Sequence, residues 1–549
     1  MKLRNFKIHF NAWSVSSTIF VLLVLLPNLS ILGYLNHSPS ENWYYVKEYM
    51  LNKYVINSTL MVLFTAFFTI TIGISLSWLV VAYDFPGRKL LNWALVLPIA
   101  IPPYIGAYAY NGIFDYTGVV QVFLREAFNF EKGIKFFNIM NIRGAIFIFT
   151  IFLFPYIFIV TKSFLEKQSS SIVESAKILG RGSVDIFFNI VIPISRVAII
   201  GGVSLVILEV LNDYGVVKYF GVPAFSTGIF QIWFSMGDIN SAIRLAAVLM
   251  IFVIAILFFE RIIRGRKKYS NTNSKVTPLS RSKLKGKLAF FASFYGFSIL
   301  SLGFFIPVAQ LFRWLSMTIN RNVRLDLLEL TMNSLLVAFI ATILIVISAL
   351  IVANFTRITN NSISKLYAKI TIVGYSIPAS VIALGVIVFF LYLDRNLHGF
   401  LRILSPDVKK LFLSSSLAML IFAYYIRFLG IGFNAIEAGY EKVGNKFFES
   451  SRMLGESIFK TFYKVDMPMI KGAIISGSIL VFVDILKELP LTLILRPFNF
   501  DTFSTRAFEY ANDEMLQEAS VASLIIIFIS TIAIYLFYKI GSKGDEKWN

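Results

Sequence analysis

Cysteine is absent from this chain of 549 residues, and histidine occurs only three times. Disulfide bonds and thiolate metal sites are therefore excluded, and His9, His37 and His398 are too scattered to indicate a metal-ligand cluster. A phosphate-binding loop is also missing, because the glycine pair Gly439 and Gly444 is followed by asparagine where such a loop requires lysine. With no nucleophile–base constellation either, the sequence predicts neither an enzyme nor a bound cofactor, and it leaves any metal ligands unassigned.

Charged residues are scarce as well, at 15% of the chain against about 25% in a typical soluble domain. Hydrophobic residues make up 57%, and the mean hydropathy is +0.73. A membrane-crossing helix needs about 20 mostly apolar residues, and about twelve such stretches occur. They are centred near residues 24, 70, 103, 153, 203, 253, 300, 342, 381, 422, 478 and 529. The sequence therefore predicts an all-α polytopic membrane protein with little chain left for a soluble domain.

The net charge of +20 is concentrated in three clusters. Lys2–Lys7 precede the first apolar stretch, Arg261–Lys287 contains ten Lys or Arg and no acidic residue, and Lys539–Lys547 follow the last stretch. An even number of spans places all three clusters on one side, which the positive-inside rule makes cytoplasmic. We therefore predict a bacterial inner-membrane protein with cytoplasmic N- and C-termini, surrounded by lipid. Nucleic acid is not an expected partner, since a basic surface that binds it needs a folded polar domain. The first stretch lacks an A-x-A-like cleavage site and is expected to remain as a span.

The two halves of the chain repeat each other at an offset of 275 residues. Glu174–Gly180 (ESAKILG) is echoed by Glu449–Gly455 (ESSRMLG), and prolines follow at 193 and 468. Asn-Ser pairs at 57 and 333 and Ile-Pro pairs at 101 and 377 repeat at an offset of 276. Six spans in each half keep both copies in the same orientation. We therefore predict two parallel six-helix repeats, residues 1–264 and 288–549, joined by a basic cytoplasmic linker over 265–287.

The repeated motif falls in the loop between the fourth and fifth spans of each half, on the side predicted to be cytoplasmic. Ser171 and Glu174 have the spacing of a capping box at a helix start, and Gly180 permits a sharp turn at the helix end. Small or apolar side chains recur on one helical face: Ile172, Ala176 and Leu179 in the first loop, Phe447, Ser451 and Leu454 in the second. Each loop is expected to present a short amphipathic helix, a turn and a second helix.

This motif resembles the cytoplasmic loop of ABC importer permeases, in which Glu, Gly and Pro recur at the same spacing. The resemblance implies a type I importer permease fold, two copies of an ABC ATPase docked on the loops, and a periplasmic or tethered solute-binding protein on the other side. It also implies that ATP is hydrolysed by separate subunits. The residues that match the docking motif are Glu174, Ala176, Gly180, Pro193, Glu449, Ser451, Gly455 and Pro468. Ser451 departs from the alanine usual in the family but keeps a small side chain.

Two segments that follow the fifth and eleventh spans resemble the fused ferric iron permeases. They are residues 212–223 (NDYGVVKYFGVP) and 484–502 (DILKELPLTLILRPFNFDT). The resemblance covers nearly the whole chain and implies ferric iron as cargo, while permeases for thiamine, phosphonate, sulfate or polyamines share the plan and remain alternatives. A secondary transporter driven by an ion gradient would also have twelve spans and two-half symmetry. The duplicated loops argue against it, because such a carrier has no motor to dock.

Four carboxylates stand at equivalent places near the ends of the fifth and eleventh spans. They are Glu209, Asp213, Asp484 and Glu488. A spacing of four residues puts both members of a pair on one helix face, and carboxylates within a membrane are costly enough to indicate a functional site. Oxygen ligands of this kind suit a hard trivalent cation. We predict that they line the translocation path; the alternative is that Lys487 and Arg496 pair with them and only fasten the helix ends.

Overall fold

The computed structural model describes residues 12–35, 38–128, 138–166, 171–264, 280–319, 327–359, 361–404 and 410–546. Ten of the helices in these ranges are long and apolar enough to cross a membrane, or twelve if each of two bent helix pairs is one span. Each of the twelve predicted stretches falls in one of them, so the predicted all-α polytopic class is confirmed. The basic residues at 2–7, most of the linker (265–279) and Lys547 lie outside the described residues.

The first half contains thirteen helices and one short strand in the described ranges. They are α1 Ala12–Tyr34, α2 Glu41–Tyr45, α3 Leu51–Ala82, β1 Tyr83–Asp84, α4 Arg88–Ala94, α5 Pro103–Phe114, α6 Val119–Phe128, α7 Ile142–Glu166, α8 Ser171–Ile178, α9 Ser183–Ile186, α10 Ile192–Asn212, α11 Gly215–Tyr219, α12 Phe225–Phe230 and α13 Ile239–Arg264. A π-helical turn over Phe187–Val191 joins α9 to α10, so that Ser183–Asn212 runs as one span.

The second half also contains thirteen helices and one short strand in the described ranges. They are β2 Ser282–Lys283, α14 Gly286–Leu300, α15 Ile306–Ile319, α16 Leu327–Thr359, α17 Ser362–Ser376, α18 Ala379–Leu404, α19 Leu417–Val443, α20 Lys446–Met453, α21 Ile458–Thr461, α22 Met467–Met469, α23 Lys471–Lys487, α24 Pro490–Leu495, α25 Phe503–Asn512 and α26 Leu516–Glu546. The axes of Ile458–Met469 and Lys471–Lys487 differ by 74°, whereas the equivalent helix of the first half is continuous.

Both halves interrupt a helix at the repeated Ile-Pro pair. In the first half the axis turns by 92° between Arg88–Ala100 and Pro103–Phe128, and in the second half the same pair separates α17 from α18. A residue that precedes proline avoids the helical conformation, and Ile101 and Ile377 are indeed extended, with φ and ψ of −97° and 111°, and −88° and 129°. The third predicted stretch is therefore a bent helix pair rather than one straight span.

The repeated Asn-Ser pairs hold equivalent segments at the opposite end of the bundle from the motif loops. Asn57 donates a hydrogen bond to the carbonyl of Pro223 (2.8 Å), and Asn333 donates one to the carbonyl of Asp501 (3.3 Å). The hydroxyl oxygens of the neighbouring serines, Ser58 and Ser334, accept from the backbone N–H groups that begin α12 and α25 (3.4 and 2.9 Å). The second repeat thus reproduces the contacts of the first, as well as its sequence.

The two halves exchange their first spans. Helix α1 packs on α16, α17 and α18 of the second half, where Thr18 is hydrogen-bonded to Tyr367 (2.8 Å). Helix α14 packs on α4 of the first half, where Ser293 donates to the carbonyl of Pro86 (2.8 Å). Just before α14, strand β2 pairs in parallel with β1, with Tyr83 opposite Ser282. The repeats that are separate in sequence are therefore interleaved in space.

Candidate functional site

A cavity lies between the two halves, beside both Ile-Pro breaks, and all four predicted carboxylates line it. We call it the interface cavity. Its acidic and basic lining residues are Glu209, Asp213, Asp484, Glu488, Arg427 and Lys487, and its tyrosines are Tyr104, Tyr156 and Tyr375. The acidic residues come from the ends of α10 and α23, and the break of the first half supplies part of the wall through Ile101 and Pro102. The repeat thus brings together carboxylates that are 275 residues apart.

Asp213 and Glu488, which are equivalent in the repeat, are held by backbone donors. The N–H of Val216 donates to the Asp213 carboxylate (2.8 Å), and the N–H of Leu491 donates to the Glu488 carboxylate (2.9 Å). Their carbonyl oxygens also accept from equivalent serines, Ser226 at 2.6 Å and Ser504 at 2.8 Å. Each carboxylate therefore satisfies a free N–H at the start of a short helix, α11 or α24, which fixes its position.

Glu209 and Asp484 are held by side chains instead. The hydroxyl of Tyr375 donates to Glu209 (2.7 Å), and Lys487 forms an ion pair with Asp484 (3.0 Å). The alternative prediction is therefore right about Lys487, which does pair with one of the four carboxylates. It is wrong about Arg496, which forms its ion pairs with Asp501 and Glu509.

Arg427 is a cavity residue that the sequence analysis missed. It lies within α19, is 4% exposed, and its Nε stands 3.6 Å from the Glu488 carboxylate. That distance is an ion pair but not a hydrogen bond. Within the described residues, the guanidinium donates one long hydrogen bond, of 3.4 Å, to the carbonyl of Ile377. A single arginine inside an otherwise apolar span is itself a functional signal, and it was available in the sequence.

The cavity as a whole favours cations. Four acidic and two basic side chains line it, which leaves a formal excess of two negative charges. Within the described ranges, however, no three His, Asp or Glu side chains are close enough together to hold a metal ion. The arrangement is thus an acidic passage with resident counter-charges, and not a closed coordination cage.

The two motif loops, residues 171–193 and 446–468, turn at their glycines as predicted. Gly180 and Gly455 have φ of +79° and +85°, the left-handed conformation that glycine adopts without a steric cost. The N–H of the following residue reaches back to a helical carbonyl in each loop, Arg181 to Ala176 (3.0 Å) and Glu456 to Ser451 (3.3 Å). This is the hydrogen-bond pattern of a glycine-terminated helix, so the predicted turns are confirmed.

The predicted helix faces are wrong in part. Val173 and Ala176 are the buried residues of α8, in one cluster with residues of α3, α9 and the π-helical turn before α10, while Leu179 is 81% exposed. In the second loop Ser451 is buried and hydrogen-bonded to Thr461 (2.9 Å), and Leu454 is 85% exposed. The helices lie on their own half, and the residues just before each glycine protrude. Ser171 is also the first residue of α8, whereas a capping residue at 171 would stand just before the helix.

The remaining motif residues differ between the loops. Glu174 and Glu449 are both exposed, and Glu174 also accepts a hydrogen bond from Ser280 of the linker (3.3 Å). Pro193 is the second residue of α10 and lies inside the continuous span Ser183–Asn212. Pro468 lies in α22, directly before the 74° bend. The two loops share their turns but not their connection to the following span.

Comparison with known proteins identifies the family. The sequence profile of the binding-protein-dependent transport system inner membrane component matches residues 70–264 and 346–543. The chain belongs to this family. Both repeats of this permease are matched separately, which agrees with the internal duplication, and the match decides for an importer permease over an ion-coupled secondary transporter. The protein is thereby a multi-pass membrane component of a transport system.

Individual proteins with similar sequences are also permeases of transport systems. The permease is 24% identical over 496 residues, 89% of its own length and 90% of the relative's, to the Fe(3+)-transport system permease protein of Haemophilus influenzae. It is 25% identical to the sulfate transport system permease protein of Salmonella typhimurium over 46% of its length and 91% of the relative's. A molybdenum transport system permease protein of Escherichia coli is 30% identical over 27% of this permease and 62% of the relative. The iron-transport relative thus covers both halves, and the other two match only part of the chain.

Proposed function

We propose that this permease imports ferric iron, which a solute-binding protein delivers to the end opposite the motif loops. The observation that carries the proposal is the interface cavity, where carboxylates from both halves outnumber basic side chains by two. Hard cations with high charge prefer carboxylate and phenolic oxygen, and both are present. The iron-transport relative that is similar over nearly the whole chain supports the same cargo.

The charge of the cavity discriminates among the alternative cargoes. Sulfate, molybdate and phosphonates are anions, and an excess of negative charge in a low-dielectric passage repels them. Thiamine and polyamines are cations, so the charge alone does not disfavour them. The relation to the iron-transport permease favours iron over these organic cations.

We further propose that two copies of an ATPase drive transport by docking on the two motif loops. The support is exposed apolar surface at equivalent positions: Ile178 and Leu179 are 85% and 81% exposed, and Met453 and Leu454 are 88% and 85% exposed. Apolar side chains that are this exposed, at equivalent positions, are typical of a surface that a partner covers. Docking by an ATPase would place this end, and both termini, in the cytoplasm, in agreement with the positive-inside rule.

Solute uptake tests the cargo. A strain that lacks this permease should lose uptake of radioactive ferric iron and keep uptake of sulfate, molybdate, thiamine and spermidine, and a plasmid copy should restore the loss. Retained iron uptake together with loss of one of the other solutes would contradict iron as cargo and identify the alternative.

Binding to the ATPase tests the motor. The purified permease alone should hydrolyse no ATP, and the complex should contain two ATPase copies by mass. Replacing the protruding pair, Ile178→Ser with Leu179→Ser, should remove one copy without loss of folded permease. ATP turnover by the permease alone would contradict a separate motor.

A further inference from the structure

The interface cavity is symmetric in its carboxylates but not in its basic residues. At the offset of 275, Glu209 matches Asp484 and Asp213 matches Glu488. At the same offset, the partners of Arg427 and Lys487 are Phe152 and Asn212, which line the cavity as well. Both positive charges therefore come from the second half, at places where the first half has neutral residues.

This asymmetry leaves the two carboxylate pairs in different electrostatic states. Asp484 is paired with Lys487 at 3.0 Å, and Glu488 with Arg427 at 3.6 Å. Glu209 and Asp213 form no ion pair in the part of the chain that the structure describes; their contacts are a tyrosine hydroxyl and a backbone N–H. The uncompensated negative charge of the cavity thus lies on the wall that α10 contributes.

A phenolic oxygen without a partner faces the same cavity. Tyr104 is 3% exposed, lines the cavity, and its hydroxyl makes no hydrogen bond within the described residues. A buried polar atom that is left unpaired costs free energy, so such an atom in a native protein needs an explanation. A ligand that occupies the cavity during transport would supply the missing partner, and phenolic oxygen, like carboxylate oxygen, is a hard ligand.

We propose that the cargo cation binds on the first-half wall, to Glu209, Asp213 and Tyr104. Arg427 and Lys487 neutralise the equivalent carboxylates of the second half, Glu488 and Asp484. The tethered positive charges restrict the cavity to one cation and exclude a second. The inference rests on the proposed function in one respect, namely that the cargo is a cation. It adds that the duplicated carboxylates no longer share the same role.

Binding of Tb³⁺ tests the asymmetry without transport. This trivalent ion is a redox-inert stand-in for ferric iron, and nearby tyrosines sensitise its luminescence. In purified full-length permease, Glu209→Gln or Asp213→Asn should weaken Tb³⁺ binding by about tenfold or more, the change expected from losing one good ionic contact. The matched control is the double variant Asp484→Asn with Lys487→Gln, which removes a carboxylate and its counter-charge together; its affinity should stay within about threefold of the original.

A hydroxyl deletion tests the third ligand. Tyr104→Phe removes an unpaired atom, so it should leave the folded permease as stable as before while Tb³⁺ affinity and tyrosine-sensitised luminescence fall. The control is Tyr440→Phe, because Tyr440 is 4% exposed and its hydroxyl is likewise unpaired, but it does not line this cavity. Unchanged Tb³⁺ binding in Tyr104→Phe would overturn the assignment of that residue.

The outcomes separate this inference from the proposed function. Equal weakening by first-half variants and by the Asp484–Lys487 double variant would overturn the asymmetry, and iron uptake would still stand as the test of cargo. No Tb³⁺ binding by the original permease would overturn the cation site itself. Loss of iron uptake in Glu209→Gln, with an unchanged amount of folded protein, would support the proposal in cells.

Discussion

At the scale of single residues, Gly180 and Gly455 are the positions where the backbone conformation decides which residue is tolerated. Both are left-handed and exposed, and a Cβ at either would meet no atom within 4 Å. The cost of another residue there is therefore conformational, about 1–2 kcal/mol, and not a clash.

We predict that Gly180→Arg or Gly455→Arg weakens ATPase docking while membrane insertion stays intact. The arginine would disfavour the left-handed turn and so change the direction in which the apolar pair before each glycine protrudes. Co-purification of the ATPase measures the effect. Gly182→Arg is the control, since it adds the same side chain two residues away, where φ is −71° and the surroundings are equally open. Transport that is unaffected by both predicted substitutions would show that the loops are not the docking sites.

A second residue-scale contrast concerns a buried ion pair in the second motif loop. Arg357 at the end of α16 contacts Asp466 at 2.6 Å, with side chains 9% and 2% exposed. The equivalent residues of the first half, at offsets of 276 and 275, are Val81 and Val191, both buried in one apolar cluster. The two halves thus join loop and span by different chemistry at the same place.

We predict that Asp466→Val alone destabilises the permease by about 3–5 kcal/mol, because it leaves a buried guanidinium unpaired. The double variant Arg357→Val with Asp466→Val, which copies the first half, should recover most of that loss. Denaturation of the detergent-solubilised protein provides the measurement. Equal losses in the single and double variants would mean that the arginine has a role beyond the pair.

At the scale of elements, the Ile-Pro breaks explain why the repeats diverged around the cavity. The break before α18 frees the N–H of Ala379, which is fully buried, and the Asn212 side-chain oxygen accepts from it (2.6 Å). The residue equivalent to Ala379 is Pro103, which has no N–H to satisfy. Lys487, the counterpart of Asn212, therefore has no equivalent N–H to satisfy and pairs with Asp484 instead.

We predict that Asn212→Leu lowers the free energy of unfolding by about 1–3 kcal/mol, the cost of leaving a buried backbone donor unpaired. Asn212→Asp should cost less, because it keeps an oxygen acceptor of the same reach. Both variants are compared by thermal denaturation at one protein concentration. A loss as large in the aspartate variant would show that hydrogen bonding to Ala379 is not what this residue supplies.

The elements also show what sequence reasoning can and cannot reach. The repeat predicted that Glu209 and Asp484, with Asp213 and Glu488, would line one path, because parallel duplication relates their helices by an axis between the halves. It did not predict Arg427 beside Glu488, since that contact joins different spans and has no counterpart in the first half. The burial of Val173 in place of Leu179 was missed for a similar reason: the face that α8 presents depends on α3, which the local pattern does not encode.

At the scale of the whole molecule, the exchange of first spans ties the halves together. Thr18 and Ser30 of α1 bond to Tyr367 and to the carbonyl of Gly385 in the second half, at 2.8 and 3.2 Å. A Cβ at Gly385 would lie 2.5 Å from the carbonyl oxygen of Pro27, so α1 and α18 touch through their backbones. Hydropathy located the apolar stretches but did not predict this exchange, because each first span could pack equally well against either half.

The exchange makes a definite prediction for a divided chain. Fragments 1–270 and 271–549, produced together, should associate and restore the transport activity of the undivided permease, because each supplies the first span that the other half packs against. Association in a membrane depends on close packing at small residues rather than on apolar area, so Gly385→Leu in the second fragment should abolish it. Gly399→Leu is the matched control, since it lies on the same helix with no atom within 4 Å of its would-be Cβ. If Gly385→Leu fragments co-purify as well as the unchanged ones, the contact of α1 with α18 is not what holds the halves together, and other contacts between them, such as that of α14 with α4, must do so.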